Sequence, residues 1–245
     1  MVVSKVPEVT LVFWIIKIIA TTLGETGGDA VSMGLNLGYA VGTLIFAAVF
    51  IGAVVWQIRM KGYHPLPYWL TIVATTTVGT TMADFADRSL GIGYLGGSLL
   101  LFSLVMVVLA AWRYTLGTVS VKTIVTPKAE AFYWLTILAS NTLGTALGDW
   151  LADDTSLGYQ GGAVVFAAGL AVLAGLYYTR RVSATVLFWA AFILTRPLGA
   201  TLGDTLTKPL ANGGLDLSKF TSSAVLALAM IVLVVLIPQR AGKAH

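Results

Sequence analysis

Long apolar runs recur along the whole chain, separated by short polar or glycine-rich segments. Seven or eight of these runs reach about 17 to 22 residues, and ~20 is the length a helix needs to cross hydrocarbon. They predict helices over 7–28, 38–58, 66–84, 92–114, 130–149, 160–179, 183–204 and 218–238. Lys17, Glu25 and Asp29 sit where a cleavable leader would be apolar or small, so the first run reads as a retained helix.

The runs repeat in register. Trp14, Trp69, Trp134 and Trp189 are each followed fifteen residues later by an aspartate: Asp29, Asp84, Asp149 and Asp204. A glycine stands ten residues after each tryptophan (Gly24, Gly79, Gly144, Gly199), and a small residue four further on (Gly28, Ala83, Gly148, Gly203). In the first three units a Gly-Tyr pair follows (Gly38-Tyr39, Gly93-Tyr94, Gly158-Tyr159), while the fourth has an insertion over 208–219 and Phe220 in place of the tyrosine. Self-similarity at a fixed period defines the architecture. The units cover approximately 7–60, 63–115, 128–181 and 183–238, each holding two spans.

Lys and Arg in the flanking segments fix an expected orientation. Lys5, Arg59, Lys61, Arg113, Lys122, Lys128, Arg180, Arg181, Arg240 and Lys243 fall on the N-terminal side, and only Arg88, Lys208 and Lys219 on the other. The expected fold is an all-α membrane protein: a single transmembrane domain over 1–245, with eight transmembrane helices from four parallel two-helix repeats and both termini cytoplasmic. Composition agrees, with 57% hydrophobic and 11% charged residues and a mean hydropathy of +0.87. A soluble domain has about 25% charged residues. The net charge of +4 is distributed between apolar runs, so no nucleic-acid partner is expected, and the lack of cysteine excludes disulfides and thiolate metal sites.

Chemistry concentrates in the odd helices. An ionisable side chain at depth costs at least about 2.5–3.5 kcal/mol, so such residues face the bundle interior and mark ion or substrate paths. Glu25 and Asp29 are four apart and share a helix face. Thr21, Thr76 and Asn141 precede the aspartates by eight residues, and Thr80 and Thr145 hold the position of Glu25 in the next two units. His64 falls in a loop and His245 at the terminus, so the lining is oxygen-rich. Oxygen ligands suit hard cations or protons. Glu25, Asp29, Asp84, Asp149 and Asp204 are the expected metal ligands, with Thr21, Thr76, Thr80, Thr145 and Asn141 completing the site.

Simpler roles compete for the same residues. Close helix packing outweighs substrate contact for the Gly-x-x-x-small pairs, and interfacial anchoring outweighs binding for the tryptophans. The Gly-Tyr pairs read as turns leading into the second helix of a unit. Asp87, Asp153 and Asp154 read as solvated, and the main aspartates compete with a helix-capping role. Lys17 and Arg196 lie inside odd helices, each eight residues before an acid, which is about 12 Å along one helix. Partners on neighbouring helices are therefore expected, with both bases acting as counter-charges or a gate.

These features resemble a family of uncharacterised bacterial inner-membrane proteins carrying four tandem copies of a two-span repeat of unknown function. The resemblance runs from Trp14 through the last span and implies fold and location, with the four tryptophans as the repeat tryptophans and no catalytic residue. No Ser/His/Asp set, zinc motif or phosphate loop is present, so a non-enzyme without a resident cofactor is expected. The functional expectation is a secondary transporter of a manganese- or magnesium-like cation, an exporter coupled to protons. The alternatives are a cation channel, or a transporter of a small organic anion that uses Arg196. Expected partners are the lipid bilayer and a small cation or proton, and a homo-oligomer is compatible with all of these readings.

Overall fold

A computed structural model describes residues 3–243, so His245 lies outside the described residues. Eight α-helices form: α1 (Leu11–Asp29), α2 (Gly38–Arg59), α3 (Pro65–Asp84), α4 (Tyr94–Leu116), α5 (Pro127–Asp153), α6 (Gly158–Thr179), α7 (Ala184–Thr207) and α8 (Lys219–Leu236). All except α3 and α5 are long and apolar enough to cross a membrane. The Thr-rich α3 and the Asn- and Asp-bearing α5 are the more polar inner helices.

Local chemistry sets the ends of these helices. Thr10, Thr126, Ser183 and Ser218 are N-caps whose side chains accept from backbone N–H groups three residues on. Gly38, Gly93 and Gly158 all have positive φ, which glycine adopts without steric cost, so the Gly-Tyr pairs do turn the chain into α2, α4 and α6. The first helix starts at Leu11 rather than near residue 7, because β1 (Val3–Pro7) pairs antiparallel with β2 (Ala241–Lys243). This ribbon is a small departure from an all-α chain. Lys5 within it donates to Glu130 Oε1 at 2.6 Å and to the Ile58 carbonyl at 2.9 Å.

The odd helices α1, α3, α5 and α7 form a closed inner ring in which each touches the next and α7 returns to α1. The even helices lie outside, each against the inner helix of the following unit: α2 on α3, α4 on α5, α6 on α7 and α8 on α1. A unit therefore hands its second helix to its neighbour. Leu44, Leu100, Val164 and Leu228 on the outer helices are exposed, as a lipid-facing surface requires.

The ring is held by the same contacts four times over. At one end, the aromatic residue before each tryptophan packs on the tryptophan of the next unit: Phe13 on Trp69, Tyr68 on Trp134, Tyr133 on Trp189 and Phe188 on Trp14, with centroids 5.6–6.2 Å apart. Trp69, Trp134 and Trp189 are buried, so their rings pack within the bundle rather than facing outward. Nearer the centre, helices cross at the glycines. A Cβ on Gly24 would overlap Thr76, one on Gly144 would overlap Arg196, and one on Gly199 would overlap Thr21. On Gly79 it would lie 3.0 Å from the Thr142 nitrogen. The inner helices run unbroken through these glycines.

Candidate functional site

Stacked layers follow from this cyclic packing. Residues three before each ring glycine (Thr21, Thr76, Asn141, Arg196) form one layer, and those one after it (Glu25, Thr80, Thr145, Ala200) form the next. The aspartates Asp29, Asp84, Asp149 and Asp204 form a third. All four aspartates and Glu25 are at most 3% exposed.

Burial of five acids demands compensation, and three basic groups supply it. Arg88 Nε lies 2.9 Å from Asp84 Oδ1, while its Nη2 donates to Asp149 Oδ2 at 3.4 Å and lies 3.7 Å from Asp153 Oδ2. Lys208 Nζ donates to Asp29 Oδ2 at 3.0 Å and makes a charge contact of 3.1 Å with Asp204 Oδ1. Each of these cations thus clamps the aspartates of two adjacent units: Arg88 joins the second and third, Lys208 the fourth and first. Burial opposes the charge of Lys208, which lies beyond the end of α7, but Asp204 and Asp29 outweigh it and hold the ammonium well above the ordinary lysine range.

The third cation is Arg196, fully buried and anchored on α7. Its Nη2 donates to Glu25 Oε2 at 3.0 Å, to Thr145 Oγ1 at 2.6 Å and to Thr80 Oγ1. The guanidinium therefore touches α1, α3 and α5 from α7, which places it on the axis of the ring. Ala200 occupies the fourth place in the Glu25 layer. The expectation that Arg196 finds its acid on a neighbouring helix holds, with Glu25 as that acid. Lys17 behaves otherwise. It is fully buried, but Nζ donates to Thr195 Oγ1 at 3.1 Å and sits 3.8 Å from the Phe192 ring centroid, with no carboxylate among its partners.

Three of these acids, each already paired with one of the three bases, lie close to one another. Glu25, Asp29 and Asp84 each offer a carboxylate oxygen within 4.8 Å of the others, at the seam between the first and second units. The chain leaves the α-helical geometry just beyond both aspartates, with π-turns over Ala30–Gly34 and Phe85–Ser89. Such turns add a residue to the helix and re-aim the side chains beside them. The third and fourth units have none: α5 continues to Asp153 and α7 to Thr207. Asp149 and Asp204 are not among the three, but they share the clamps Arg88 and Lys208 with Asp84 and Asp29.

The other expected site residues divide. Thr80 and Thr145 meet the charged centre through Arg196. Thr21 donates to the Thr195 carbonyl at 3.2 Å and Thr76 to the Ala20 carbonyl at 3.1 Å, so both hydroxyls join helices. Asn141 Nδ2 donates to Thr75 Oγ1 at 3.0 Å while its Oδ1 is buried without a partner. Asp153 is exposed, in keeping with the solvated reading, and also accepts from Tyr159 at 3.0 Å and Tyr94 at 3.3 Å. Arg88 and Lys208 were expected only as loop charges. Their spacing of four residues from Asp84 and Asp204 was the available signal, since such pairs share a helix face.

No curated protein and no solved structure was found to match this chain. The four-unit repeat does have a match. The chain belongs to the family described as Repeat of Unknown Function (DUF347), which it matches four times, over residues 12–63, 67–118, 132–183 and 187–238.

Proposed function

We propose that this protein is a transporter of a hard metal cation, bound by Glu25, Asp29 and Asp84. The observation that carries this reading is their convergence: three buried carboxylates with oxygens within 4.8 Å of one another. Hard divalent cations take oxygen ligands at about 2.0–2.6 Å, so ligands on opposite sides of one ion lie about 4–5 Å apart. Asp29 Oδ2, Glu25 Oε2 and Asp84 Oδ1 already hold Lys208, Arg196 and Arg88, so an arriving cation competes with charges built into the protein at all three ligands. Competition of this kind keeps binding reversible. The aromatic layer, with Tyr68 and Tyr133 hydroxyls 2.7 Å apart, blocks the axis at one end and favours a carrier over an open channel.

In this reading all eight helices span the bacterial inner membrane, with α3 and α5 shielded from lipid by their neighbours. Both termini are cytoplasmic. The ribbon between β1 and β2 supports termini on one side. Two of the three opposing basic residues, Arg88 and Lys208, are spent on aspartates, which strengthens the charge asymmetry. The protein acts as a non-enzyme, and the proton is the coupling ion in this reading.

The test is flux into liposomes holding purified protein, across Mn²⁺, Mg²⁺, Ca²⁺ and Co²⁺. Saturable flux of one ion, lost in Asp29→Asn and Asp84→Asn proteins that still elute as folded species, is the expected result. Absence of flux for every cation would overturn the reading. Thr80→Val, which removes a hydroxyl bonded to both Glu25 and Arg196, is expected to weaken metal binding by about 10-fold, as loss of a ligand's supporting hydrogen bond does.

A further inference from the structure

Strand β1 links helices that the ring itself leaves apart. It leads into α1, yet Lys5 Nζ reaches Glu130 Oε1 on α5, the helix across the ring from α1, at 2.6 Å. The Lys5 backbone N–H donates to the Ile124 carbonyl at 3.0 Å, and Ser4 Oγ donates to the Val121 carbonyl at 2.8 Å, both just ahead of α5. Gln57, near the end of α2, donates to the Lys5 carbonyl at 3.4 Å. Val6 is buried in the hydrophobic cluster that also holds Phe13, Trp69 and Tyr133 of the aromatic layer. At this end of the bundle α1 and α5 are therefore tied to each other by the strand.

The hold is mostly polar, and its seat is incompletely paired. Ser4 and Lys5 are buried against backbone carbonyls and one carboxylate, and Val6 supplies the buried apolar contact. Glu130 Oε2, Gln57 Oε1 and Trp134 Nε1, one turn beyond Glu130 on α5, are buried without a partner in the protein, as is Gln239 Nε2 just ahead of β2. The equivalent indoles are anchored, Trp69 on Gln239 Oε1 and Trp189 on the Val119 carbonyl. Interfaces built to stay closed pair nearly all their buried polar groups. These four atoms find their partners only in water, so lifting the strand satisfies them and offsets part of what its own bonds contribute. The ribbon it forms with β2 has two strands, a kind of pairing that is marginal by itself.

We propose that strand β1 is a gate at the aromatic end of the ring, latched by Lys5 on Glu130. Release of the latch frees α1 and α5 to part at that end, and water then passes the Tyr68–Tyr133 contact toward the interior. The gate's use rests on the transporter reading, since a carrier must admit its ion from both ends of the bundle. At the aspartate end the links between inner helices are the side chains Arg88 and Lys208, which an arriving cation can displace. At the aromatic end the link is a segment of main chain, which must unseat as a unit.

The chain has no cysteine, so one introduced thiol reports water access at a chosen depth. Ile137→Cys places it one turn beyond Tyr133 on α5, where the native side chain is fully buried, and Ala152→Cys places it near the other end of the same helix. Full-length protein in liposomes is treated with a charged methanethiosulfonate, and the rate of modification is followed by mass. Glu130→Gln is expected to speed modification at residue 137 by about tenfold, because the open fraction rises as the latch is lost, and to leave residue 152 unchanged. Lys5→Arg, which keeps a donor for Glu130, should stay slow. Deleting residues 1–7 leaves the Thr10 cap of α1 in place and should match Glu130→Gln. Unchanged rates in both folded variants, or equal acceleration at residue 152, which would make the strand a brace for the whole bundle, would each overturn the gate. Labelling uses neither metal nor flux: acceleration without cation flux keeps the gate and removes the cation reading, and flux without acceleration does the reverse.

Discussion

Two cations bridging four buried aspartates dominate the structure at the scale of single residues. Breaking one partner of a buried ion pair leaves an uncompensated charge and costs about 3–5 kcal/mol, while removing both partners costs far less. Lys208→Met is therefore expected to lower the thermal stability of the protein in detergent sharply. The triple change Lys208→Met, Asp29→Asn, Asp204→Asn should recover most of the loss, and a triple variant as unstable as the single one would contradict the clamp. Because the folded protein raises the Lys208 ammonium above its ordinary range, the clamp's contribution is complete below that range and is lost only as pH rises through the higher folded value. Titration from pH 7 to 9 should therefore not weaken it. The aspartates were legible from the fixed Trp-to-Asp spacing, since four acids at one register must converge or be capped. Their partners were not recognised, because Arg88 and Lys208 fall just past the apolar runs, where a basic residue reads equally well as a topology signal. Lys17 was expected to neutralise an acid, yet nothing in a linear pattern tells a lysine over an aromatic ring from one beside a carboxylate.

Helices meet here through backbone rather than through interdigitated side chains. Inner helices cross at glycine, so an added methyl group meets the neighbouring helix directly, and overpacking of this kind costs about 1–3 kcal/mol. Gly199→Ala, where the new Cβ would overlap Thr21, is expected to reduce the folded yield measured by size-exclusion chromatography. Gly52 on the outer face of α2 has nothing within 4 Å. Gly52→Ala should hold or improve stability, by about 0.5–1 kcal/mol, because glycine inside a helix carries an entropic cost. Equal behaviour of the two variants would mean that the ring is looser than its crossings imply. Helix number and most boundaries could be read from apolar run length, because a spanning helix has little freedom in length. The π-turns after Asp29 and Asp84 could not, since no residue type in those segments demands them. The same holds for the direction in which the tryptophans point: indole suits an interface and an aromatic ring of neighbours equally.

At the scale of the whole molecule, the handing of each second helix to the next unit makes the chain a closed circle with one opening, at the termini. The ribbon of β1 with β2 and the seat of α8 on α1 seal that opening. Joining the ends by a short linker and reopening the chain at Gly117, which follows α4 with positive φ, should give a protein of unchanged stability and metal binding, as permutation at exposed turns between units allows. Deleting 219–243 should instead unfold α1 from the ring, since its outer cover is lost. A deletion variant with full thermal stability would show that circular closure contributes little. The sequence implied four equivalent units. It did not imply which pairs of helices touch, because the repeat in the sequence and the packing unit in space are offset by one helix.

That offset also explains why four copies were joined into one polypeptide. A chain holding a single unit could bury its two faces only by assembling as four identical subunits, and every side chain near the axis would then be present in fourfold. Four guanidiniums at the place of Arg196 would repel one another with no acid between them, and four glutamates at the place of Glu25 would do the same. Covalent fusion releases the axis from symmetry. One arginine, one glutamate and one lysine can each stand there once, so the ring keeps its fourfold frame while its centre becomes chemically one-sided.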